Sequence, residues 1–470
     1  MRRTCVTVAF LVAGLLRVAR AGDVSGAPAE LDHGRALRRS IRCGRAHSVI
    51  LLIGDGLGDS EITSARNYQV GAAGRLRLDT LPFTGALTSY SQQENPPLLP
   101  EYVVDSAASA TAWATGHKTS NSRLSTTAAT DQPLTTILEL AQERGLRTGS
   151  VTTAELTDAT PAALAAHINH RSCEGPADMQ ACPQYLKANG GRGSIAEQTV
   201  DHHVDVVLGG GSDRFNQRID GGPYSGLTVT QSAIAQGYTL VENAAELEAA
   251  VPGRKLLGLF APGNLTLEWT GERATAYPGS GPQRCVEQQR PNREPSLAAM
   301  THTAIELLAA GDARFFLQVE GASIDKRDHV ADPCGQIGET IAFDAAVGVA
   351  IDYARRHPDT LIIVTGDHAH TSQIIPAPTQ DDHSPGVFST LITADGAPMT
   401  ISYATNLPGR KQEHTGTQIR VAAEGPHGAD VVGVNDQTAL FATMADALGL
   451  RRPEPEAGFL PALRRLLGLD

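Results

Sequence analysis

The sequence predicts an α/β protein: a three-layer sandwich with a mostly parallel central sheet and a small inserted accessory subdomain. Three observations predict this class. Short apolar runs that each end at a polar or glycine-rich corner recur along the chain, as buried parallel strands do. Segments with apolar residues at three- and four-residue spacing lie between these runs and indicate helices. The 470 residues are also enough for one large core.

The predicted elements alternate along the chain. Strands are predicted at 48–53, 148–153, 205–208, 313–319 and 360–364, and helices at 134–144, 296–310 and 337–356. Gly145 and Gly311 are the expected stop signals of the first two helices. Such alternation predicts right-handed crossovers between parallel strands.

Acidic residues stand where three predicted strands end. They are Asp55, Glu320 and Asp367, and chemistry in open α/β sheets gathers at the carboxyl ends of strands. Residues 372–412 are richer in proline, glycine and turn residues and are predicted to form the accessory insertion.

Composition narrows the class of function. The chain is 41% hydrophobic and 19% charged, which is typical of a globular protein. Its net charge of −12 argues against a nucleic-acid groove on a basic surface. Runs of about 18 uncharged apolar residues are missing from the sequence, so no membrane span is predicted for the mature chain.

The first residues have the layout of an export signal. A basic start, an apolar stretch and the small-x-small end at Ala19–Ala21 predict a signal peptide at 1–21. A buried N-terminal helix is the alternative. Residues 22–46 form a polar, arginine-rich arm without periodicity, and 47–470 is the predicted catalytic domain. The expected location is therefore the periplasm or the exterior.

The cysteines agree with export. Cys5 would leave with the signal peptide, and Cys43 lies in the arm without an evident mate. The remaining four are Cys173, Cys182, Cys285 and Cys334. One short and one long loop would result from pairing neighbours along the chain, but four cysteines allow three connectivities, so the pairing is a hypothesis.

Clusters of acids and histidines suggest metal binding. Asp367, His368 and His370 follow a predicted strand, Asp325 and His329 are four apart and share a face if helical, and His414 lies in a loop. Each cluster alone is explained more simply as a helix cap or a surface histidine. Several clusters at one sheet edge favour a metal site.

Ser106 is the candidate nucleophile. It begins the small-residue segment 106–112, which is predicted to be a helix, and a helix N-terminus suits a phosphate. An ordinary capping serine is the alternative. A serine hydroxyl needs a nearby base or a metal to act at neutral pH.

Six ordered motifs carry a resemblance to a known family. They are IGDG (53–56), DSAAS (105–109), TAELTDATP (153–161), VEGASIDK (319–326), TGDHAH (365–370) and EHTG (413–416). In this order they resemble the alkaline phosphatases, and the pattern is most similar to the Gram-negative periplasmic enzymes. Weaker similarity continues almost to the C-terminus.

The resemblance implies a three-metal site with two Zn²⁺ and one Mg²⁺ per subunit. The ligands implied for the first zinc are Asp325, His329 and His414. Those implied for the second are Asp55, Asp367, His368 and the oxygen of Ser106. Those implied for magnesium, an all-oxygen set that suits a hard ion, are Asp55, Thr160 and Glu320.

Other residues match supporting positions of the family. Arg171 matches the arginine that binds two phosphate oxygens. Asp158 and Lys326 match positions that reach metal-bound water and phosphate, and His370 matches a position beside the zinc ligands. The implied reaction is hydrolysis of small phosphate monoesters of broad specificity, through a phosphoserine on Ser106. The implied assembly is a homodimer.

Sulfatases and phosphodiesterases belong to the same superfold and are alternative functions. Sulfatases need a Cys/Ser-x-Pro-x-Arg context, which the segment at Ser106 lacks. Nucleotide diesterases generally use threonine and lack the magnesium set and the phosphate-binding arginine. A non-catalytic phosphate- or metal-binding export protein on the same scaffold is the remaining alternative.

Overall fold

The computed structural model describes residues 41, 44–96, 98–291, 293–379 and 386–450. The predicted signal peptide, almost all of the predicted arm, Cys5 and Cys43 lie outside the described residues. The first strand of the described residues begins at Ser48, and their last helix ends at Leu448.

Ten strands of the described chain form the central sheet. The strands of the structure are β1 (Ser48–Gly54), β2 (Phe83–Thr88), β3 (Ser91–Gln92), β4 (Pro100–Glu101), β5 (Arg147–Glu155), β6 (Val206–Gly210), β7 (Tyr238–Val241), β8 (Lys255–Leu259), β9 (Trp269–Thr270), β10 (Ser280–Gln283), β11 (Val286–Glu287), β12 (Phe315–Gly321), β13 (Thr360–Gly366), β14 (Ser372–Ile375), β15 (Val387–Ile392), β16 (Pro398–Tyr403), β17 (Ile419–Glu424) and β18 (Gly433–Asp436). The order in the sheet is β18-β2-β17-β13-β1-β12-β5-β6-β8-β7. Only β17 runs against its neighbours, so the predicted mostly parallel sheet is confirmed.

Helices cover both faces of this sheet. The α-helices are α1 (Asp59–Val70), α2 (Ser106–Thr115), α3 (Ile137–Glu143), α4 (Ala159–Ala165), α5 (Ile195–Asp201), α6 (Ser212–Phe215), α7 (Val229–Ala235), α8 (Ala244–Glu248), α9 (Leu297–Ala309), α10 (Ser323–Asp328), α11 (Pro333–Arg356) and α12 (Ala439–Leu448). Short 3₁₀ turns lie at Leu78–Thr80, Pro176–Ala181, Pro183–Tyr185, Lys187–Asn189 and Gly428–Val431. The five predicted strands and three predicted helices are all present, with shifted ends.

The burial of β1 on both faces explains the three-layer arrangement. Every residue of β1 is buried. Val49, Leu51 and Ile53 join one apolar cluster, which also contains Trp113 of α2. The intervening residues of β1 join the other cluster, with Phe343 of α11. Because successive side chains of a strand point to opposite faces, a continuous apolar run requires packing on both sides.

The register of three adjacent strands brings the acidic residues together. Gly54 of β1 pairs with Gly321 of β12 on one side and with Gly366 of β13 on the other. The three strands therefore end level with one another. Asp55, Glu320 and Asp367 consequently lie at one edge of the sheet, as the sequence predicted.

Gly56 lies in the tight turn that follows β1 at this edge of the sheet. Its φ of +70° is in the left-handed region, and a Cβ there would meet the Cα of Asp325 at 2.9 Å. Only glycine accommodates both conditions, so the turn after β1 can approach α10 closely.

A separate four-stranded sheet lies beside the main one, in the order β10-β15-β16-β14. Three of its strands come from the segment 372–412, which the sequence assigned to an accessory insertion. The fourth, β10, comes from about a hundred residues earlier in the chain and was not assigned to it. The accessory sheet is thus assembled from two separate segments.

Helix α11 packs in the core. It is long and apolar enough by length and composition to cross a membrane, and 78% of its most apolar window is buried inside the protein. Its apolar residues contact β1, β12 and β13 from one face of the sheet. The sequence predicted no membrane span, and most of this helix is buried against the central sheet.

Both neighbouring cysteine pairs form disulfides. Cys173 bonds to Cys182, and Cys285 bonds to Cys334. Of the three connectivities that the sequence left open, the structure has the one that pairs neighbours along the chain.

Candidate active site

Ser106 lies at the first position of α2, as predicted. Asp105 caps the helix, because its carboxylate accepts a 2.9 Å hydrogen bond from the backbone N–H of Ala108. The same carboxylate accepts from the N–H of Ser122 at 2.9 Å, which ties the following loop to the cap. The hydroxyl of Ser106 is thereby fixed where the helix presents its positive end.

The hydroxyl of Ser106 faces three possible ligands of a cation. Its Oγ lies 3.4 and 3.5 Å from the two carboxylate oxygens of Asp55 and 3.3 Å from Nε2 of His368. Ser106 is almost completely buried, and so are both partners. The predicted grouping of these residues is present in the structure.

Backbone groups orient the carboxylate of Asp367. Its Oδ1 accepts 2.8 Å hydrogen bonds from the N–H groups of Gly56 and His368. Its Oδ2 lies 3.2 Å from Nε2 of His368 and has no hydrogen-bond partner within the described residues. One oxygen is therefore held in place while the other points into the cluster.

A second cluster surrounds Asp325. Its Oδ1 lies 3.3 Å from Nε2 of His329 and 3.2 Å from the Nε2 atoms of both His370 and His414. Asp325 and His329 share a face at the end of α10, as their spacing predicted. The ligand atoms of the four residues lie within 4.8 Å of one another.

The hydrogen bonds of the histidines separate ligands from supporting residues. Nδ1 of His329 contacts the carbonyl of Gln412, and Nδ1 of His414 lies 3.0 Å from the carbonyl of Val104. A carbonyl only accepts, so in these rings Nδ1 carries the proton and the lone pair of Nε2 faces Asp325. In His370, Nδ1 accepts from the N–H of Thr371 at 2.9 Å, so Nε2 carries the proton and lies 3.2 Å from Oδ1 of Asp325.

This arrangement fits a metal ion. Two imidazole lone pairs and a carboxylate oxygen converge, and such a group of acceptors is repulsive unless a cation lies between them. Nitrogen and carboxylate ligands of this kind suit zinc. The residues of this cluster are thus chemically suited to the zinc ion that the sequence resemblance implies.

The third cluster contains oxygen atoms only. Glu320 ends in a buried site where its Oε2 accepts a hydrogen bond from the hydroxyl of Thr152. Thr160 is buried, and its hydroxyl has no hydrogen-bond partner among the described residues. The backbone N–H of Asp55 donates to the carbonyl of Gly321 at 3.1 Å, so Asp55 and Glu320 lie at the ends of adjacent strands. Asp55 therefore lies between the serine cluster and this oxygen-rich cluster, which suits a hard cation.

Asp158 binds two positively charged side chains at the cleft. Its carboxylate caps α4 through the N–H of Ala159 at 2.8 Å. Oδ1 accepts from Nη2 of Arg171 at 2.6 Å, and Oδ2 accepts from Nζ of Lys326 at 2.5 Å. Although burial opposes ionisation, the charges of Lys326 and Arg171 hold the pKa of Asp158 well below its usual range.

The buried carboxylates repel one another in the absence of cations. Burial raises the pKa of Asp55 well above its usual value, and the charges of Asp367 and Asp325 raise it further. Burial likewise raises the pKa of Asp367 to about 6 and that of Glu320 to about 7. Burial lowers the pKa of His368 well below its usual value. Burial and the neighbouring negative charges thus disfavour the ionised carboxylates, and a bound cation would offset both effects.

The clusters open into one cleft of about 690 Å³. Its lining includes Ser106, Asp158, Arg171, Asp325 and Lys326, while Asp55 and Asp367 lie buried behind it. The structure thus brings all the predicted site residues to one edge of the sheet and its overlying loops.

Comparison with known proteins agrees with this geometry. The family model described as alkaline phosphatase matches residues 46–410 and 392–450. The chain is 50% identical over 430 residues to the alkaline phosphatase of Escherichia coli, covering 89% of this chain and 90% of that protein. The chain belongs to the alkaline phosphatase family. It is a phosphate monoester hydrolase, and the family is metal-dependent.

Other relatives fall in the same family. Alkaline phosphatase H of Pseudomonas aeruginosa is 51% identical over 431 residues, covering 90% of this chain and 89% of that protein. Streptomycin-6-phosphate phosphatase of Streptomyces griseus is 56% identical over 415 residues, covering 86% and 91%. The solved alkaline phosphatase of the Antarctic bacterium TAB5 shares the fold, at 23% identity and a TM-score of 0.66, covering 87% of this chain and 100% of that one.

Three residues of this alkaline phosphatase site were missed from sequence. Gln437 donates to the carbonyl of Asp367 at 2.7 Å and to the hydroxyl of Ser109 at 2.9 Å. Thr152 contacts Glu320, and the carbonyl of Gln412 orients His329. None of the three lies in a motif of charged residues, and each acts through a contact that only the folded chain creates.

Proposed function

We propose that this alkaline phosphatase is an exported enzyme that uses Ser106 as its nucleophile, with two Zn²⁺ and one Mg²⁺ bound at the three clusters. The observation that carries the proposal is the position of the Ser106 hydroxyl, 3.3 Å from His368 and 3.4 Å from Asp55 at the start of a helix. Motif similarity alone would leave the hydroxyl unplaced.

The proposed ligand sets follow the three clusters. The first zinc would be held by Asp325, His329 and His414. The second would be held by Asp55, Asp367, His368 and Ser106, and magnesium by Asp55, Thr160 and Glu320. When bound, the ions would act as Lewis acids, lowering the pKa of a coordinated hydroxyl and offsetting the charge of the phosphoryl group.

The residues of the chain would bind and orient the substrate. Arg171 is fixed by Asp158 through one N–H and retains further donors for two phosphate oxygens. Burial opposes the charge of Arg171, but the charges of Asp158, Asp105 and Asp55 keep its pKa above the usual value, so it stays cationic. The start of α2 adds its partial positive charge.

The reaction would proceed in two displacements. In the first, the Oγ of Ser106 loses its proton to solvent and forms a bond to phosphorus while the ester oxygen–phosphorus bond breaks, and the leaving alkoxide takes up a proton from solvent to depart as the alcohol. In the second, the oxygen of a water molecule forms a bond to phosphorus while the Oγ–phosphorus bond breaks. Inorganic phosphate leaves, the proton lost by the water is released to solvent, and Oγ takes up a proton to restore the hydroxyl. Since catalysis depends on positioning and electrostatics, selectivity for the leaving group should be broad.

Trapping of the phosphoenzyme tests the nucleophile. Acid quenching of the enzyme with a nitrophenyl monoester, followed by peptide mass spectrometry, should place phosphate on Ser106. Ser106→Ala should abolish the phosphopeptide and reduce turnover by several orders of magnitude. Ser109→Ala is the matched control, because Ser109 lies in the same buried turn and should still allow labelling at 106. A phosphopeptide that persists in Ser106→Ala would move the nucleophile elsewhere.

Export and dimerisation belong to the same proposal. The layout of residues 1–21 supports a cleaved signal, and two disulfides are typical of oxidising compartments. The arm at 22–46 would reach a second subunit. N-terminal sequencing of the exported protein together with light scattering would test both points, and an intact N-terminus or a monomer would contradict them.

A narrower substrate is a second candidate. The relative at 56% identity is named a streptomycin-6-phosphate phosphatase, and streptomycin is a polycation. Glu413 lines the cleft and could attract a cationic leaving group, whereas Lys411 on the same lining would oppose it. Glu413→Gln should lower kcat/KM for streptomycin 6-phosphate but not for a nitrophenyl monoester. Lys411→Gln should raise kcat/KM for streptomycin 6-phosphate and leave the value for the nitrophenyl monoester unchanged. Equal effects on both substrates would remove this candidate.

A further inference from the structure

A further histidine–carboxylate cluster, outside the active site, lies between three helices of the alkaline phosphatase fold. Glu139 belongs to α3, His167 follows α4, and His202 ends α5. Nε2 of His167 lies 3.0 Å from Oε1 of Glu139, and Nε2 of His202 lies 3.2 Å from the same oxygen. The proposed active site uses none of the three.

Backbone carbonyls fix the orientation of both rings. Nδ1 of His167 lies 3.0 Å from the carbonyl of Ser125, and Nδ1 of His202 lies 2.9 Å from the carbonyl of Gln198. Each Nδ1 therefore carries a proton. In the neutral rings, both Nε2 lone pairs then face one carboxylate oxygen, and this convergence requires a cation or two extra protons.

The carboxylate of Glu139 is preorganised as well. Glu139 forms a capping box with Thr136, whose backbone N–H donates to Oε2 at 2.8 Å. The other oxygen, Oε1, is left to face the two histidines. A preset carboxylate and two preset imidazoles leave little conformational entropy to lose when an ion binds.

The same pattern occurs around Asp325. There, too, two histidines donate from Nδ1 to backbone carbonyls and bring Nε2 within 3.2–3.3 Å of one carboxylate oxygen. Ligands at zinc distances in a tetrahedron lie roughly 3.4 Å apart. The separations at Glu139, 3.0 and 3.2 Å, are slightly below that value and similar to the 3.2–3.3 Å around Asp325.

We propose that Glu139, His167 and His202 bind a Zn²⁺ ion outside the active site. Two nitrogens and one carboxylate oxygen favour zinc over magnesium, which prefers oxygen ligands. His167 is buried, while the side chains of Glu139 and His202 keep 24% and 19% of their surface exposed. Because two of the three side chains reach the surface, a water molecule would complete the set of ligands.

The ion would connect the ends of three helices on one face of the sheet. It would join α3, α4 and α5 by bonds that the unfolded chain lacks, so its binding would stabilise the folded state. It would not take part in the phosphatase reaction. This inference is independent of the roles proposed above for Ser106 and the catalytic ligands.

Metal analysis of the whole enzyme tests the site. After equilibration with buffered Zn²⁺, wild type should hold one zinc more per chain than His202→Gln or Glu139→Gln. The second substitution keeps the capping box, since glutamine serves at that position. Both variants should keep turnover of a nitrophenyl monoester. His302→Gln is the matched control, because His302 lies 4.0 Å from Glu306 on an exposed helix surface.

Two further readouts decide the outcome. Added Zn²⁺ should raise the Tm of wild type and His302→Gln more than that of either site variant. Loss of one direct ligand should weaken zinc binding at this site by more than the roughly 10- to 100-fold that loss of an outer-shell partner costs. An anomalous peak at the zinc edge between the three side chains of the wild-type crystal would establish the ion without any variant. Equal zinc counts, or no such peak, would overturn the proposal and leave a metal-free ion pair of Glu139 with protonated histidines.

Discussion

Arg171 donates from Nη2 to Oδ1 of Asp158 across 2.6 Å. The second oxygen of Asp158 accepts from Lys326, so one carboxylate holds both cations of the cleft. This contact fixes the plane of the guanidinium. A planar group with several donors in fixed directions binds two phosphate oxygens at once only if that plane is correct.

Arg171→Ala should therefore weaken inhibition by inorganic phosphate. Hydrogen bonds to charged groups contribute about 1.5–3 kcal/mol, so the inhibition constant should rise roughly 10- to 100-fold. Arg214→Ala is the control, because Arg214 has similar exposure and also pairs with carboxylates. An unchanged phosphate affinity in Arg171→Ala would show that its assigned role is wrong.

Asp158→Asn should act through Arg171. Asparagine still caps a helix, so α4 should persist, but the fixed orientation of the guanidinium is lost. The inhibition constant for phosphate should rise by less than in Arg171→Ala, and the two effects should not add in the double variant. Additive effects would mean that Asp158 acts independently of the arginine.

Removal of metal should silence the enzyme reversibly. Dialysis against EDTA should abolish hydrolysis, and Zn²⁺ with Mg²⁺ should restore it. The pKa of Asp367 is raised to about 6 and that of Glu320 to about 7, so the metal-free site binds protons that the ions must displace. Metal affinity should consequently fall as the pH is lowered from 8 towards 6, which calorimetry can measure. Full activity in excess EDTA would contradict the metal assignment.

His370 and His414 should respond differently to substitution. His414 offers a lone pair to the site, whereas Nε2 of His370 carries a proton and lies 3.2 Å from Oδ1 of Asp325. His370→Ala should weaken zinc binding roughly 10- to 100-fold, with activity recovered at high zinc. His414→Ala should not recover at the same zinc concentration. Identical zinc titrations for the two variants would show that both histidines are ligands or that neither is.

The sequence predicted the parts of the fold that depend on local pattern. Fully apolar runs gave the central strands, and the acidic residues after them gave the edge where the site lies. Ser106 at a helix start and Asp325 four residues before His329 were also readable from spacing. These features could be predicted because strand alternation and helix periodicity act over a few residues.

Contacts between distant segments were not readable in the same way. The accessory sheet takes β10 from far earlier in the chain, and its Ser-Gly-Pro-Gln sequence carries little strand signal. Gln437 reaches Asp367 from 70 residues away. His202 meets Glu139 across 63 residues, with no motif around either. Such pairs depend on tertiary packing rather than on local preference.

Loss of a disulfide should destabilise the enzyme according to the loop that it closes. Cys285 and Cys334 are 49 residues apart, and Cys173 and Cys182 are 9 apart. In the chain-entropy model, breaking the first should cost about 4 kcal/mol of unfolding free energy, and breaking the second about 3 kcal/mol. Urea denaturation of the paired Cys→Ser variants measures both. A larger loss for the short loop would indicate that native contacts, rather than loop entropy, dominate.

Glu339 should make stability fall as the pH rises. Burial raises its pKa from 4.5 to about 8, so the folded state keeps the proton in a range where the unfolded chain has lost it. The free energy of unfolding should therefore decrease between about pH 4.5 and 8 and level off above.

Glu339→Gln cannot ionise and can still accept the 2.9 Å hydrogen bond from the N–H of Glu268. Its stability should exceed that of wild type at pH 9, on the order of a few kcal/mol at most, and match it near pH 4.5. Urea denaturation across this range measures the difference, with Glu306→Gln at an exposed position as the control. Parallel pH profiles for wild type and Glu339→Gln would show that Glu339 is ionised in the folded enzyme throughout.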